Sequence, residues 1–186
     1  TYNNSTKTAT IKISELNWEN KYTGKPLIAI VKGKKLTPNK KEVDIDLSFP
    51  LTGEVTEKSF TDEFNDDAIY NLNVSISDSA GINGKSQSVK FITDKTEPTI
   101  NIEGIKNEKY YDGNRDVIIT TTDVNNDINN VTVKKDGKDY SIGEFSKEGI
   151  ERTLKYSFTE EGNYEVEVES IDKAKNRKTS DNIFFT

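Results

Sequence analysis

Acidic side chains stand side by side at Asp62/Glu63, Asp66/Asp67 and Glu160/Glu161. A carboxylate pair about 5 to 9.5 Å apart is all that glycoside hydrolysis requires of a protein. The 186 residues include no His and no Cys, which removes imidazole- and thiol-based nucleophile systems and the usual zinc ligand sets. The acidic pairs fall in polar stretches read as turns, where solvated loop charges are the expected explanation. A chain without a catalytic site is therefore expected.

Hard-cation chemistry has more to work with. Asp123, Asn125 and Asp127 place oxygen side chains at alternate positions, but the segment lacks the glycine and the twelfth-position Glu of an EF-hand loop. A different ligand set is expected if the fold brings this segment to the Asp172–Asn176 turn, with Asp94 and Glu97 nearby. No cofactor is then required, but a Ca2+ at the interdomain junction is possible, held by Asp94, Glu97, Asp123, Asn125, Asp127 and Asp172. The alternative is an Asn/Asp-rich turn that satisfies its own side chains.

Two further surfaces have chemical content. Trp18, the only tryptophan, precedes Tyr22; the pair could stack on a sugar ring or anchor a protein contact, or Trp18 could plug the end of a β-sandwich. Lys32, Lys34, Lys35, Lys40 and Lys41 cluster in one stretch and could present a cationic tip to an acidic partner. The net charge of −6 is opposite in sign to a nucleic-acid footprint. A Lys–Asn isopeptide staple has candidates in Lys12, Lys90, Asn101 and Asn182, but no Lys, Asn and acid set repeats along the chain.

The elements that must position these groups are strands. Val43/Ile45/Leu47/Phe49, Leu72/Val74/Ile76, Leu154/Tyr156/Phe158 and Tyr164/Val166/Val168 alternate with polar residues, and helical spacing is nowhere sustained. No apolar run approaches the roughly 20 residues that a membrane-spanning helix needs. The chain also repeats itself. Phe64, Tyr70, Val89 and Phe91 return 94 positions later as Phe158, Tyr164, Ile183 and Phe185. Nearer the start an offset of 89 relates Thr10, Ile11 and Ile13 to Thr99, Ile100 and Ile102. A repeat of this length is a domain rather than a solenoid unit, so two domains are expected, 1–94 and 95–186. About seven short strands in each imply antiparallel sandwiches.

The segments Asp66-Asp67-Ala68-Ile69-Tyr70 and Glu160-Glu161-Gly162-Asn163-Tyr164 share a pattern similar to the tyrosine corner of immunoglobulin-type sandwiches, which gives Tyr70 and Tyr164 a structural role. With the turns after them and the junction Asp94-Lys95-Thr96-Glu97-Pro98, nearly the whole chain resembles tandem bacterial immunoglobulin-like repeats of Gram-positive surface or secreted proteins. The resemblance implies an all-β fold of two immunoglobulin-like, antiparallel Greek-key sandwiches. It implies a non-catalytic spacer or adhesion segment, extracellular or at the bacterial cell surface, partnered by neighbouring domains of a larger parent, with a host protein or glycan as a further candidate partner. The opening residues read as those of a fragment, and Pro98 as a stiffener of the linker. The rival expectation is a carbohydrate- or host-ligand-binding accessory module of a secreted polysaccharide-degrading enzyme using Trp18 and Tyr22; a phage or pilus component shares the fold.

Overall fold

The computed structural model describes residues 1–14, 27–51, 57–77, 83–84, 86–147 and 149–186. Among them the chain forms strands and no helix, and no helix is long and apolar enough to cross a membrane. It divides into two compact units, Thr1–Lys95 and Thr96–Thr186, one residue from the boundary expected above.

Unit 1 contains β1 (Tyr2–Asn3), β2 (Lys7–Ser14), β3 (Leu27–Leu36), β4 (Glu42–Leu51), β5 (Glu57–Phe64), β6 (Ala68–Ser77) and β7 (Gln87–Thr93). One sheet runs β1-β7-β6-β3-β4 and the other pairs β2 with β5. Unit 2 contains β8 (Thr99–Glu103), β9 (Arg115–Thr122), β10 (Asn126–Lys135), β11 (Lys138–Asp139), β12 (Glu151–Phe158), β13 (Tyr164–Asp172), β14 (Arg177–Thr179) and β15 (Ile183–Phe185). Its sheets run β12-β9-β8 and β11-β10-β13-β14, with β15 also on β13.

Strict alternation decides which faces are buried. In β13 Tyr164, Val166 and Val168 face inward with Val117 and Ile119 of β9 and Leu154 and Phe158 of β12, while Glu165, Glu167 and Glu169 take the other side of the pleat. The unit 1 core is smaller among the described residues and gathers Val31, Phe64, Ala68, Tyr70, Leu72 and Phe91. Each core holds the same ring triad. Tyr70 stacks on Phe91 at 4.9 Å with Phe64 edge-on to both. Tyr164 stacks on Phe185 at 5.1 Å with Phe158 edge-on to both. Edge-on and offset ring pairs of this kind add about 0.5–1.5 kcal/mol beyond the area they bury.

The registers correct part of the internal alignment. Phe64 pairs with Lys7 and Phe60 with Ile11, while Phe158 pairs with Arg115 and Leu154 with Ile119. By pairing, β2 therefore corresponds to β9, an offset of 108 rather than 89 at that point. β8, whose Thr-Ile-x-Ile run resembles that of β2, is an additional strand on the outer edge of β9. Lys35 opposite Tyr70 and Lys135 opposite Tyr164 set β3 against β10 at an offset of 100. The 94-residue offset holds from β5 onward, with Tyr70 opposite Phe91 and Tyr164 opposite Phe185. At Gly33 an added Cβ would collide with the backbone of Asn71, so only glycine lets β3 approach β6 there.

Candidate functional site

Tyr70 and Tyr164 form the corner expected of them. The Tyr70 hydroxyl donates to the Asp66 carbonyl at 3.1 Å, and Tyr164 to the Glu160 carbonyl at 2.8 Å. Both rings are buried, which pushes both phenols above their ordinary pKa because the phenolate would lose its hydration. The corner has a third member that sequence reading missed. Lys35 ion-pairs with Asp66, and Lys135 with Glu160, so in each unit a lysine from the adjacent strand holds the acid whose carbonyl receives the tyrosine. The Lys35 hydrogen bond holds the Asp66 carboxyl below its usual range and raises the lysine in turn. The signal was present as Lys35 and Lys135, but only the register of β3 on β6 and β10 on β13 makes them equivalent.

That pairing also reduces the cationic tip. Lys32 pairs with Asp46 at 3.4 Å and Lys34 with Glu42 at 2.8 Å, so three of the cluster's lysines, Lys35 included, face carboxylates. Exposed pairs of this type contribute between nothing and about 1 kcal/mol. They do, however, cancel the local positive field that an acidic partner would need.

The calcium expectation meets a set of carboxylates that already have protein partners. In unit 2 the carboxylate oxygens of Asp123 and Asp172 approach within 4.8 Å, and both side chains are buried. Asp172 accepts from the Asn176 amide at 2.9 Å through one oxygen and from the Asn176 side chain at 2.7 Å through the other. Asp123 accepts from the Asn125 amide at 2.6 Å, an Asx turn that closes the β9–β10 connection. Asp127 is not with them: a register shift between Asn126 and Ile128 re-aims it toward Lys175, 3.2 Å away. Glu97 pairs with Lys178 at 3.5 Å. Asp94, at the end of unit 1, is buried, and its amide donates to the Asn3 carbonyl.

Behind this turn lies a polar network that the sequence did not announce. Asn126, buried, donates to the Ile150 carbonyl at 3.3 Å and accepts from Asn129 at 2.8 Å; Asn129 in turn accepts from buried Ser170 at 2.7 Å. Arg152 reaches the two carbonyls exposed by the bulge, Asp127 at 2.7 Å and Asn126 at 3.1 Å. The network fixes one geometry because losing a partner would be costly for each member; within it the Arg152 Nε is buried without a hydrogen-bond partner. Further along the same face of β12, Tyr156 and Tyr140 join hydroxyls at 2.8 Å, and that bond, with partial burial, pushes the Tyr156 phenol up to about 12.

Of the remaining candidates, Asn101 and Asn182 donate their amides to Glu103 and Glu165. Trp18 and Tyr22 lie outside the described residues. No family model matches the chain, and no curated protein matches it.

Proposed function

We propose that the chain is a non-catalytic, load-bearing spacer or adhesion segment of a Gram-positive bacterial cell-surface or secreted protein, built from two immunoglobulin-like Greek-key modules and joined to neighbouring domains of a larger parent. One observation carries this reading: in each unit an early segment pairs in parallel with the last strand. In unit 1, β1 lies parallel to β7, with Tyr2 opposite Ile92 and Asn3 opposite Thr93. The Ile92 amide donates to the Thr1 carbonyl at 2.9 Å, the Asp94 amide to the Asn3 carbonyl at 2.8 Å, and the Asn3 side chain to the Ile92 carbonyl at 3.0 Å. In unit 2, residues 108–111 lie parallel to β15 through a Lys109–Phe185 bridge. There the Glu108 amide donates to the Phe184 carbonyl at 2.6 Å, the Thr186 amide to Lys109 at 3.0 Å and the Tyr111 amide to Thr186 at 2.8 Å.

In unit 1 tension enters at β1 and leaves at β7; in unit 2 it enters at β8, on the edge of β9, and loads residues 108–111 against β15 once β8 has been drawn off. Two parallel strands pulled from opposite ends slide along each other, so their slanted ladder bonds are loaded together and must break together. Such an arrangement resists force through a slow unfolding rate rather than through equilibrium stability. The repeated ring triad and Lys–acid–Tyr corner support two modules of one design, and the partnered state of the acidic side chains supports a role without chemistry. Single-molecule stretching between the chain ends tests the reading. Two separate unfolding steps are expected, each releasing on the order of 300 Å of chain; one merged step, or gradual extension at negligible force, would contradict it.

A further inference from the structure

We infer that the outer face of unit 2, along β15 and the 108–111 segment, is a binding face for a neutral oligosaccharide. Tyr111 and Phe185 meet edge-on in the core at 6.0 Å, so the alternation of side chains turns their neighbours Tyr110 and Phe184 outward. Tyr110 is 86% exposed and Phe184 48% exposed. Tyr110 is not on a loose loop. The Lys109 carbonyl before it accepts from the Thr186 amide and the Tyr111 amide after it donates to the Thr186 carbonyl, and Glu108 is held at φ 58, a left-handed conformation that such a residue keeps only where its surroundings fix it. Two large rings are thus presented to water in a backbone that gives up little freedom on binding, which lowers the cost of capturing a ligand.

The rings border a groove of about 580 Å3 whose polar side is formed by Glu108, Lys134, Asn163 and Glu165. Lys134 and Glu165 approach at 3.5 Å, Asn182 donates to Glu165 at 3.0 Å, and Thr186 donates to Asn163 at 2.9 Å. Ring faces beside fixed hydrogen-bonding groups match a pyranose, which has C–H faces and a hydroxyl rim. Charge selects within that class. Lys134 and Glu165 neutralise one another, and the other two charges along the groove, Glu108 and Lys109, are one of each sign, so a sulfated, phosphorylated or uronic-acid chain gains nothing here. A protein partner would need a broader apolar patch than two side chains supply. Unit 1 serves as an internal control. At the matching registers Lys90 stands where Phe184 does and Asn71 where Glu165 does, so its outer face lacks the ring pair. This inference does not depend on the load-bearing reading.

The test is amide NMR of the full chain titrated separately with cellohexaose, xylohexaose, mannohexaose and chitohexaose. At least one of these is expected to shift residues 108–111, 134, 163–165 and 184–186 while unit 1 stays unmoved. Tyr110→Ala and Phe184→Lys, both outward-facing, should each weaken that binding at least about tenfold, or about 1.4 kcal/mol, without changing the melting temperature. If none of the hexasaccharides shifts these residues, or if Tyr110→Ala binds as the parent does, the inference is overturned. Shifts of the same residues on concentrating the chain alone, with no response to sugar, would overturn it in favour of a second copy as occupant.

Discussion

Replacing Tyr164 by Phe removes one oxygen from a ring that is buried on all sides, and leaves its contacts with Phe158 and Phe185 in place. The perturbation is therefore the 2.8 Å bond to the Glu160 carbonyl and little else. A net hydrogen bond is worth about 0.5–1.5 kcal/mol, and a carbonyl left unpaired adds to the loss where water cannot reach it. Glu160 is exposed, so water can replace the donor and the loss should stay near 1 kcal/mol. For a unit of this size that lowers the melting temperature by about 4–8 °C. Tyr70→Phe breaks a longer bond, 3.1 Å, and should cost unit 1 no more than this.

Calorimetry of the full chain is the assay, with each substitution moving the transition of its own unit only. The same corner carries a pH signature. Folded-state phenol pKa values lie above the ordinary 10, by burial at Tyr70 and Tyr164 and through the Tyr140 bond at Tyr156, which reaches about 12. The raised sign means that the stabilisation is whole below pH 10 and is lost as pH rises toward 12. Tyr164→Phe should flatten part of that alkaline decline. A change below about 0.3 kcal/mol, with an unaltered alkaline profile, would refute the reasoning.

Arg152→Ala should destabilise unit 2 by about 2–3 kcal/mol, because two carbonyls at the β10 bulge lose charged donors. Arg152→Lys should recover only part of this, since an ammonium cannot span both acceptors; equal stability of all three in urea titrations would remove the network from the account. Calcium at the Asp123–Asp172 turn is read by melting in excess Ca2+ and in chelator. Because Asn125 and Asn176 already donate to those carboxylates and Lys175 holds Asp127 away from them, the two melting temperatures should agree within about 1 °C, whereas a rise of more than about 4 °C in calcium would restore that turn as a cation site.

Alternation of apolar and polar residues placed most of the strands and both tyrosines in advance, because a half-buried pleat leaves a period of two wherever it occurs. That same generality misaligned the early strands. Thr-Ile-Lys-Ile in β2 and Thr-Ile-Asn-Ile in β8 look alike, but β2 takes the place of β9 against the following partner strand. Pairing partners are a property of the closed sheets and are not written in any one strand. Lys35, Lys135 and Arg152 were illegible as structural residues for a related reason. Each acts across strands, on an acid or a carbonyl 25 or more positions away. The Asp123–Asp127 spacing suggested three ligands on one side, but the bulge at Asp127 rotates the last of them away, and bulges leave little trace in the residues that form them.

The load-bearing claim rests most directly on β1 and its bonds to β7. Removing residues 1–3 from the chain and stretching it between its ends isolates that contribution, since β2 to β7 keep their own pairings. The unfolding force of the first unit should fall sharply while that of the second, held by residues 108–111 on β15, stays the same. Unchanged forces in both units would show that the parallel terminal pairs carry no load.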